Sequence, residues 1–435
     1  MISSDSLTLF SDSQPTATDT MHATLITIGD ELLIGQVIDT NSAFIAQRLN
    51  EIGFAVRRRI AVGDIKEEIL TSLKEASENS EVILVTGGLG PTRDDITKQT
   101  ICEFFGSNLV MDQEILHMVK ALFEKLKRPM IDVNRKQAEV PHNCTPLKNF
   151  FGTAPGMWFE KEGKVFAFMP GVPFEMKPML TEQVIPKLKT KFSTPFILHR
   201  TIHTQGLGES FLAEKIKDIE DRFPEGFKLA YLPNYSIVRL RITGSGDDPE
   251  KLRTVAEELE TAIRERIGEF IFGYDDTSLE KEIGKLLREK KLTMAAAESI
   301  TGGLIAHKIT SVAGASDYFK GSIVSYVNEA KENLLGVKEN TLQQHGPVSE
   351  ETVRQMVSGA LTAFKVDYAL AVSGIAGPAG GTEDKPVGTV WIAVGNSKEI
   401  VAKKFQFTRS REIIMEYTAI TALAMIWRFI AGSKI

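Results

Sequence analysis

Short apolar runs alternate with segments of helical spacing along the first half of the chain. The run EVILVT (81–86) is continuously apolar, which is typical of a strand buried on both faces of a parallel sheet. Further strands are predicted at 22–29 and 54–62, and helices at 41–52 and 66–78. Because strands and helices alternate and glycine-rich loops follow the strands, residues 21–190 are predicted to form a doubly wound α/β domain.

The order of the predicted elements changes after residue 194. One strand, one helix, two strands and a long charged helix predict a small α+β module over residues 194–273, followed by the linker-like segment YDDTS. In the remainder, helical segments separate predicted strands at 292–297, 321–327, 367–373, 389–394 and 399–407. Residues 278–435 are therefore predicted to form a second doubly wound α/β domain.

Composition limits the class of protein. A chain of 435 residues is too long for a single hydrophobic core, so we expect two or three domains. Its content of 43% hydrophobic and 25% charged residues is ordinary for a globular protein. No apolar run approaches the roughly 18–20 residues that a membrane span needs. The net charge of −6 disfavours nucleic-acid binding through bulk positive charge. Cys102 and Cys144 form no metal-binding or disulfide pattern, which favours a reducing cytoplasm.

The first twenty residues differ from the rest of the chain. Residues 1–20 are rich in Ser, Thr and Asp, and they lack the basic start and apolar stretch of a signal peptide. We expect a disordered extension. Met21 directly precedes the first strand, so either Met1 or Met21 is a possible translation start.

The segment AAAESITGG contains a candidate nucleophile. The predicted strand ends at Glu298, and Thr301, Gly302 and Gly303 open the next predicted helix. Ser299 therefore lies at a strand-to-helix turn, where the unpaired amides of a helix N-terminus can stabilise a developing oxyanion. The alternative is that Ser299 or Thr301 is simply a helix N-cap.

A lysine in the next strand–helix unit is a candidate general base. Asn328 is a plausible N-cap, which makes Lys331 the third helical residue. Two causes are expected to lower the lysine pKa, as a base beside a serine requires: the positive end of the helix dipole and partial burial beside apolar strand ends. Tyr326, at the end of the preceding strand, is a candidate for donating or relaying a proton. The alternative for Lys331 is a solvated surface charge.

A third segment, AVSGIAGPAGGTEDKPVGTVW, is an apolar strand that leads into a glycine-rich loop. At Gly374 and Gly377 the backbone can approach a ligand and offer amides to a phosphate or an oxyanion, although many such loops are plain turns. Arg409 and Arg411 precede the last helix and are candidates for clamping a phosphate. An ordinary pair of surface arginines is the alternative.

In the first domain, the loop GGLGPTRDD follows the buried strand 81–86 and opens a helix. Gly87, Gly88 and Gly90 allow backbone amides to cradle an anion at the helix N-terminus. Asp94 and Asp95 follow in the first predicted turn, where they complement the helix dipole. Beside a phosphate loop they are also candidate Mg²⁺ ligands.

The first strand ends in a second acidic loop, Gly-Asp-Glu. Asp30 would face the same end of the parallel sheet, where ligands usually bind, and is a third candidate metal ligand. Asn41, at the start of the next predicted helix, is more simply explained as an N-cap.

The motifs of the last domain resemble those of a known family. AESITGGLIA, SIVSYVNEAKENLLGV, HGPVSEETV and VSGIAGPAGGTEDKPVGTVW are similar to the CinA C-terminal, or PncC, family of nicotinamide-mononucleotide deamidases. The resemblance implies that Ser299 is the nucleophile and Lys331 its base, with Tyr326 from the same motif. It also implies that Gly377 and its neighbours line the site.

Two positions depart from the usual pattern of this family. Ile300 stands where the family usually has cysteine, which we interpret as a packing difference. Arg409-Ser410-Arg411 stands where it usually has Gly-Asp-Arg, and Arg411 aligns best with the phosphate-binding arginine.

The earlier segments resemble the remaining parts of full-length CinA proteins. GDELLIGQVIDTNS, VTGGLGPTRDD and MPGVPFEM, within residues 24–190, are similar to the molybdopterin-binding-like domain. In CinA proteins this resemblance implies metal-dependent ADP-ribose pyrophosphatase activity, whereas relatives that share the fold act in molybdenum-cofactor synthesis. The middle module resembles the CinA KH-like domain. It shows no clear GxxG clamp on a basic surface, so we expect a spacer or dimer contact there rather than RNA binding.

The expected protein is thus a two-activity cytoplasmic hydrolase of pyridine-nucleotide salvage. Its expected ligands are nicotinamide mononucleotide and ADP-ribose, with no membrane partner and a homodimeric assembly. We expect a divalent metal such as Mg²⁺ for the first domain and no cofactor for the deamidase. The alternative is a non-catalytic pterin- or nucleotide-binding protein linked to competence or the DNA-damage response.

Overall fold

The computed structural model describes residues 21–90 and 96–433, so the predicted extension 1–20 lies outside the described residues. The chain divides into two compact units. The first runs to Leu198 and includes Ser245–Pro249. The second comprises His199–Gly244 and the chain from Glu250 onward.

The first unit is an α/β sandwich around a mostly parallel sheet. Its strands are β1 (His22–Ile28), β2 (Ala55–Val62), β3 (Val82–Thr86), β4 (Leu109–Met111), β5 (Glu139–Pro141), β6 (Thr145–Leu147), β7 (Gly156–Lys161) and β8 (Lys164–Met169). Its helices are α1 (Asp30–Leu33), α2 (Thr40–Asn50), α3 (Lys66–Asn79), α4 (Thr97–Phe105), α5 (Gln113–Lys125), α6 (Asp132–Lys136), α7 (Pro173–Met179) and α8 (Ile185–Lys191). A π-helical turn, Leu180–Val184, joins the last two helices.

The main sheet of this unit has the strand order β2-β1-β3-β8-β7-β6. The first four strands pair in parallel, whereas β7 and β6 add an antiparallel edge that the sequence pattern did not predict. Every residue of β3 is buried, as its continuous apolar run predicts. Alternate side chains of β3 enter separate cores on the two faces, Leu84 on one and Val85 on the other. The doubly wound α/β prediction is confirmed here.

The middle α+β module forms a four-stranded sheet backed by two helices. Its elements are β9 (Phe196–Gln205), α9 (Glu209–Glu220), β10 (Phe227–Asn234), β11 (Ile237–Gly246), α10 (Pro249–Ile267) and β12 (Ile271–Tyr274). The strand order is β10-β11-β9-β12. Strand β12 was not predicted, because its four residues are too few to show a period and adjoin the polar segment interpreted as a linker.

The last domain is a five-stranded sheet with helices on both faces. Its elements are α11 (Leu279–Lys290), β13 (Met294–Glu298), α12 (Leu304–Thr310), β14 (Phe319–Val324), α13 (Asn328–Leu335), α14 (Glu339–His345), α15 (Glu350–Phe364), β15 (Tyr368–Gly374), β16 (Thr389–Gly395), β17 (Ile400–Gln406) and α16 (Arg411–Ala431). The strand order is β14-β13-β15-β16-β17; the first three strands are parallel and the last two antiparallel.

Helix α16 corrects one expectation from the sequence. Among the described residues it is a helix long and apolar enough, by length and composition, to cross a membrane. Most of its apolar window is buried, and Ile414, Leu423 and Ile426 are fully buried in the core of the last domain. We therefore interpret α16 as a core helix, which is apolar because it packs on the sheet.

The parallel part of this sheet positions the candidate site. Glu298, the last residue of β13, pairs with Val324 of β14 on one side and with Val372 of β15 on the other. The loops that follow these three strands therefore leave the sheet at the same edge. This is the edge where open α/β sheets bind ligands.

Candidate active site

Ser299 lies directly after β13, at the centre of that sheet edge. Its side chain is largely buried, and its amide donates to the Val372 carbonyl at 3.1 Å, which extends the pairing of β13 with β15 by one residue. Ile300 is also buried, in the core beneath α16. The chain then turns through Gly302 and Gly303, both at positive φ, before α12 begins. The predicted strand-to-helix turn at the serine is confirmed.

Lys331 comes from the neighbouring strand–helix unit and meets this serine. The side chain is 1% exposed, and its Nζ lies 3.2 Å from Ser299 Oγ and 2.7 Å from the Ser325 carbonyl oxygen. The surface-charge alternative is therefore wrong. Two side chains separated by 32 positions are brought within hydrogen-bond reach, which is the geometry of a nucleophile and its base.

Of the two predicted causes of the altered basicity of Lys331, the helix N-terminus and partial burial, the structure supports burial. Helix α13 begins at Asn328 with Val327 as its N-cap, so Lys331 is the fourth helical residue rather than the third. Burial lowers the pKa of Lys331 from 10.5 to about 8, because the charged form loses its hydration. About a tenth of the amine is then neutral at pH 7 and able to accept a proton, far more than for an ordinary lysine.

Arg411 and Tyr326 form a second group at the same edge. The Arg411 guanidinium donates to the Gly377 carbonyl at 2.9 Å and to the Tyr326 hydroxyl at 2.8 Å. Among the described hydrogen bonds, none joins the Tyr326 hydroxyl to Ser299 or Lys331. This geometry favours a substrate-binding role for Tyr326 over the predicted proton relay, which stays a prediction.

The structure also separates the two arginines before the last helix. Arg409 is exposed and donates to the adjacent Thr408 carbonyl, whereas Arg411 reaches the glycine-rich loop after β15. Of the pair, Arg411 is therefore the one at the candidate site. A patch of tyrosine and guanidinium beside a nucleophile suits a ligand with an anionic group and an aromatic ring.

Gly374 has a packing role that explains why this position has no side chain. A Cβ there would lie 2.8 Å from Ile300 Cδ1 and 2.9 Å from the Thr389 carbonyl oxygen, closer than real contacts allow. The strand end after β15 thus fits tightly against the residue that follows the nucleophile. Substitution of Gly374 would displace Ile300 and, with it, the serine turn.

Two residues near the pair were missed by the sequence analysis. Ser325 offers its backbone carbonyl to Lys331, and no sequence signal marks a carbonyl acceptor. Glu298 is fully buried beside Ser299. Its signal was available: a carboxylate at the end of the apolar run MAAA is unexpected unless it is hydrogen-bonded.

The first unit contains a separate cavity of about 560 Å³ at the corresponding edge of its own sheet. Gly87, Gly88 and Gly90 line it, as the sequence predicted. Gly87 has φ 106°, and a Cβ there would lie 2.0 Å from the Ile28 carbonyl oxygen, so only glycine fits. Its amide donates to the Met169 carbonyl at 3.1 Å and is therefore not free for a phosphate.

The predicted metal ligands are only partly described. Asp94 and Asp95 lie outside the described residues. Asp30 accepts a hydrogen bond from the Asp64 amide at 3.2 Å, and the acidic side chains that line the cavity include Glu31 and Glu175. No cluster of three acidic, His or Cys side chains occurs in the described part of the chain. Since Mg²⁺ is often held by one or two carboxylates plus substrate phosphates, the metal site stays a prediction.

Asn41 takes a different place from the one predicted. The N-cap of α2 is Asp39, which accepts from the Ser42 amide at 2.9 Å. Asn41 instead lines the cavity and donates through Nδ2 to the Gly171 carbonyl at 2.6 Å. Its buried Oδ1 has no partner among the described residues. A buried carbonyl oxygen at the cavity wall suits a ligand that donates a hydrogen bond.

Comparison with known proteins identifies the family to which this chain belongs. The family model of the CinA C-terminal domain matches residues 276–430, that of the probable molybdopterin binding domain matches 24–190, and that of the damage-inducible protein CinA KH domain matches 199–273. A CinA-like protein of Cytophaga hutchinsonii is 45% identical over 408 residues, covering 94% of this chain and 98% of its own. The chain belongs to the CinA family.

A second relative agrees with this membership of the CinA family. A CinA-like protein of Flavobacterium psychrophilum is 45% identical over 410 residues, which cover 94% of this chain and 98% of the relative. The solved structure of the competence damage-inducible protein A of Klebsiella pneumoniae is 34% identical and covers 36% of this chain and 97% of its own, with a TM-score of 0.35. The resemblance in the sequence motifs is thus confirmed at the level of the family.

Proposed function

We propose that the last domain hydrolyses the carboxamide of nicotinamide mononucleotide to nicotinic-acid mononucleotide and ammonia. The observation that carries the proposal is the buried contact of 3.2 Å between Lys331 Nζ and Ser299 Oγ. The lowered pKa of this lysine, to about 8, supports it further. Incubating the purified protein with nicotinamide mononucleotide and measuring ammonia release tests it directly.

In the first half of the reaction, Ser299 Oγ attacks the carboxamide carbon while neutral Lys331 takes the hydroxyl proton. The carbon–nitrogen bond then breaks, and Lys331 returns this proton to the departing nitrogen, which leaves as ammonia. The product of this half is an ester between Ser299 and the nicotinoyl group.

In the second half, water enters and Lys331 acts as base once more. It takes a proton from the water, whose oxygen attacks the ester carbon, and returns a proton to Ser299 Oγ as the ester bond breaks. The nicotinate product leaves with a carboxylate, and the enzyme returns to its starting state. In this proposal Arg411 and Tyr326, which are hydrogen-bonded to each other, hold the phosphate and sugar of the nucleotide during both halves.

The role of Arg411 gives a prediction with a matched control. Arg411→Ala should raise the KM for nicotinamide mononucleotide about 10–100-fold with little change in kcat, because a charge-assisted hydrogen bond contributes about 1.5–3 kcal/mol. Arg409→Ala removes the same charge two residues away, where the side chain reaches only Thr408, and should leave KM near the wild-type value. Equal effects in steady-state kinetics of the two variants would contradict the assignment.

We also propose that the first unit cleaves ADP-ribose at its pyrophosphate with a divalent metal. The observation that favours this second activity is the cavity of about 560 Å³, whose lining includes both glycines and acidic side chains. A cavity of this size accommodates a nucleotide. The unpartnered Oδ1 of Asn41 provides an acceptor for a hydroxyl or amino group of such a ligand.

The two activities should be separable by mutation. Asp94→Asn combined with Asp95→Asn should weaken metal-dependent release of AMP from ADP-ribose and spare ammonia release, because the two candidate sites belong to different sheets. Both activities are measured on the same purified full-length variant. A parallel loss of both would contradict independent sites. If the wild-type protein releases no AMP with any of several divalent metals, the first unit is a binding module.

The competing function is a non-catalytic nucleotide- or pterin-binding protein. The buried Ser299–Lys331 pair favours the enzyme, because burying a lysine beside a hydroxyl is costly and serves no binding purpose on its own. A protein that binds nicotinamide mononucleotide but releases no ammonia would favour the binding function.

A further inference from the structure

Glu298 is a buried acidic residue that directly precedes the proposed nucleophile. It is 0% exposed at the end of β13, whose other residues are Met294 and three alanines. A buried carboxylate is costly unless hydrogen bonds compensate for its lost hydration. Its position in an apolar strand therefore calls for a specific role.

The carboxylate of Glu298 accepts five hydrogen bonds, and every partner is a donor. Two of the donors lie in the turn after Ser299, two lie in the first turn of α12, and one lies in β14. Oε2 accepts from Thr301 Oγ1 at 2.8 Å, the Gly303 amide at 3.1 Å and the Ile305 amide at 3.0 Å. Oε1 accepts from the Ala306 amide at 3.0 Å and Ser322 Oγ at 2.9 Å.

These bonds determine which amides of the turn remain for a ligand. The Ser299 amide pairs with Val372, the Gly302 amide with Ser299, and the first amides of α12 pair with Glu298 or Thr301. Between 299 and 306, only the amides of Ile300 and Thr301 donate to no acceptor in the described part of the chain. The expectation that the helix N-terminus itself holds the oxyanion is therefore corrected, because a carboxylate of the protein occupies it.

We propose that Glu298 is a positioning residue that shapes the oxyanion hole, which consists of the Ile300 and Thr301 backbone amides. By tying the turn and the first residues of α12 to the end of β13, it holds these two amides towards the developing charge on the carboxamide oxygen. The amide that follows a nucleophile is a recurrent donor in other hydrolases with a strand-to-helix turn. This inference rests on the proposed amidohydrolase function of Ser299.

Glu298→Gln tests this role with little change in shape. One carboxylate oxygen becomes an NH₂ group, which cannot accept a hydrogen bond. Because each oxygen of Glu298 accepts from at least one backbone amide, at least one of these hydrogen bonds is lost, and the turn is held less firmly. We expect kcat for nicotinamide mononucleotide to fall about 10²–10³-fold, the usual effect of losing an oxyanion donor. KM and the apparent pKa of the pH profile should stay near the wild-type values, because neither depends on this turn.

The matched control is Glu260→Gln in the middle module. Glu260 is also buried and paired, with Arg200 and Arg264, and lies in the same compact unit. The control should lower the thermal midpoint and leave kcat unchanged. An equal drop in kcat for both variants, or an unchanged kcat in Glu298→Gln, would overturn the proposal. A shifted pH profile in Glu298→Gln would also overturn it, since Glu298 would then take part in proton transfer.

A second readout separates this proposal from the choice of substrate. A fluorophosphonate reports the reactivity of Ser299 without any nucleotide, and its labelling rate should fall in Glu298→Gln and not in Glu260→Gln. Labelling of wild-type Ser299 without ammonia release would contradict the proposed substrate but leave the test of Glu298 intact. No labelling of the wild-type protein would overturn both.

If Glu298→Gln does not fold, Thr301→Val provides the test. It removes one donor to the carboxylate and keeps the backbone amide and the β-branched shape. In a folded Thr301→Val protein, a labelling rate at least about tenfold below that of the wild-type protein supports the proposal. The expected loss is smaller than for Glu298→Gln, because the two amides of the oxyanion hole are only partly released. An unchanged rate overturns it.

Discussion

Replacing Ser299 with alanine should reduce ammonia release from nicotinamide mononucleotide by about 10³–10⁶-fold, the loss that is typical when a covalent nucleophile is removed. The hydroxyl oxygen is the atom that lies 3.2 Å from Lys331 Nζ, and alanine leaves the lysine without a proton donor to activate. The fold should remain intact, because the backbone pairing of residue 299 with Val372 does not involve the side chain. Steady-state kinetics and circular dichroism of the purified variant measure the two effects.

Ser349→Ala is a suitable control for this variant. Ser349 is buried and caps α15 through its Oγ, and none of the hydrogen bonds in the described part of the chain joins it to Ser299 or Lys331. Its replacement should cost about 1 kcal/mol of stability, as the loss of an N-cap usually does, and leave kcat unchanged. Near-normal turnover in a folded Ser299→Ala protein would exclude the covalent mechanism.

The second large effect is expected when the proposed base, Lys331, is replaced. Activity should rise with pH through an apparent pKa of about 8, because the amine of Lys331 must lose its proton before it can accept one from Ser299. Lys331→Arg keeps a positive charge that does not dissociate below about pH 12, and it should be nearly as damaging as Lys331→Ala. The pH profile of kcat/KM and the two variants together test the base. Retained activity in Lys331→Arg would exclude Lys331 as the base and leave the assignment of Ser299 in place.

Lys331 should also contribute to the pH dependence of the free energy of unfolding. The pKa of Lys331 in the folded protein, about 8, lies below the ordinary value of 10.5, so the unfolded chain binds more protons between these two values. The free energy of unfolding should therefore rise with pH across this window. Lys331→Met removes the group and should remove this contribution, which chemical denaturation at several pH values would detect as a smaller slope. Identical slopes would mean that burial does not perturb the lysine.

Much of the architecture can be predicted from local sequence patterns. The continuous apolar run of β3 and the bounds of α10, Pro249–Ile267, follow from hydrophobic periodicity, since burial of one or both faces of an element imposes a period on its sequence. The position of Ser299 after a strand could be predicted for the same reason. The antiparallel edge strand β6 could not, because a strand of three residues shows no period.

The chemistry of the site depends on contacts that no local pattern contains. The sequence by itself determined that a serine and a lysine follow neighbouring strands, but their separation of 3.2 Å and the burial of Lys331 come from the parallel pairing of β13 with β14. From the sequence, two causes were predicted for the lowered pKa of this lysine, a helix dipole and partial burial; in the tertiary structure burial lowers it, because the charged form loses its hydration.

Tertiary structure likewise decided the roles of the surrounding residues. Arg411 and Arg409 look alike in sequence, and only the position of the loop after β15 distinguishes the one that reaches the site. Glu298 is one acidic residue among many until its five donors converge from the turn, α12 and β14. Sequence periodicity indicates which side chains are buried, because a whole face of a helix or strand is buried together. Hydrogen-bond partners are individual atoms from distant segments, and only the folded chain brings them together.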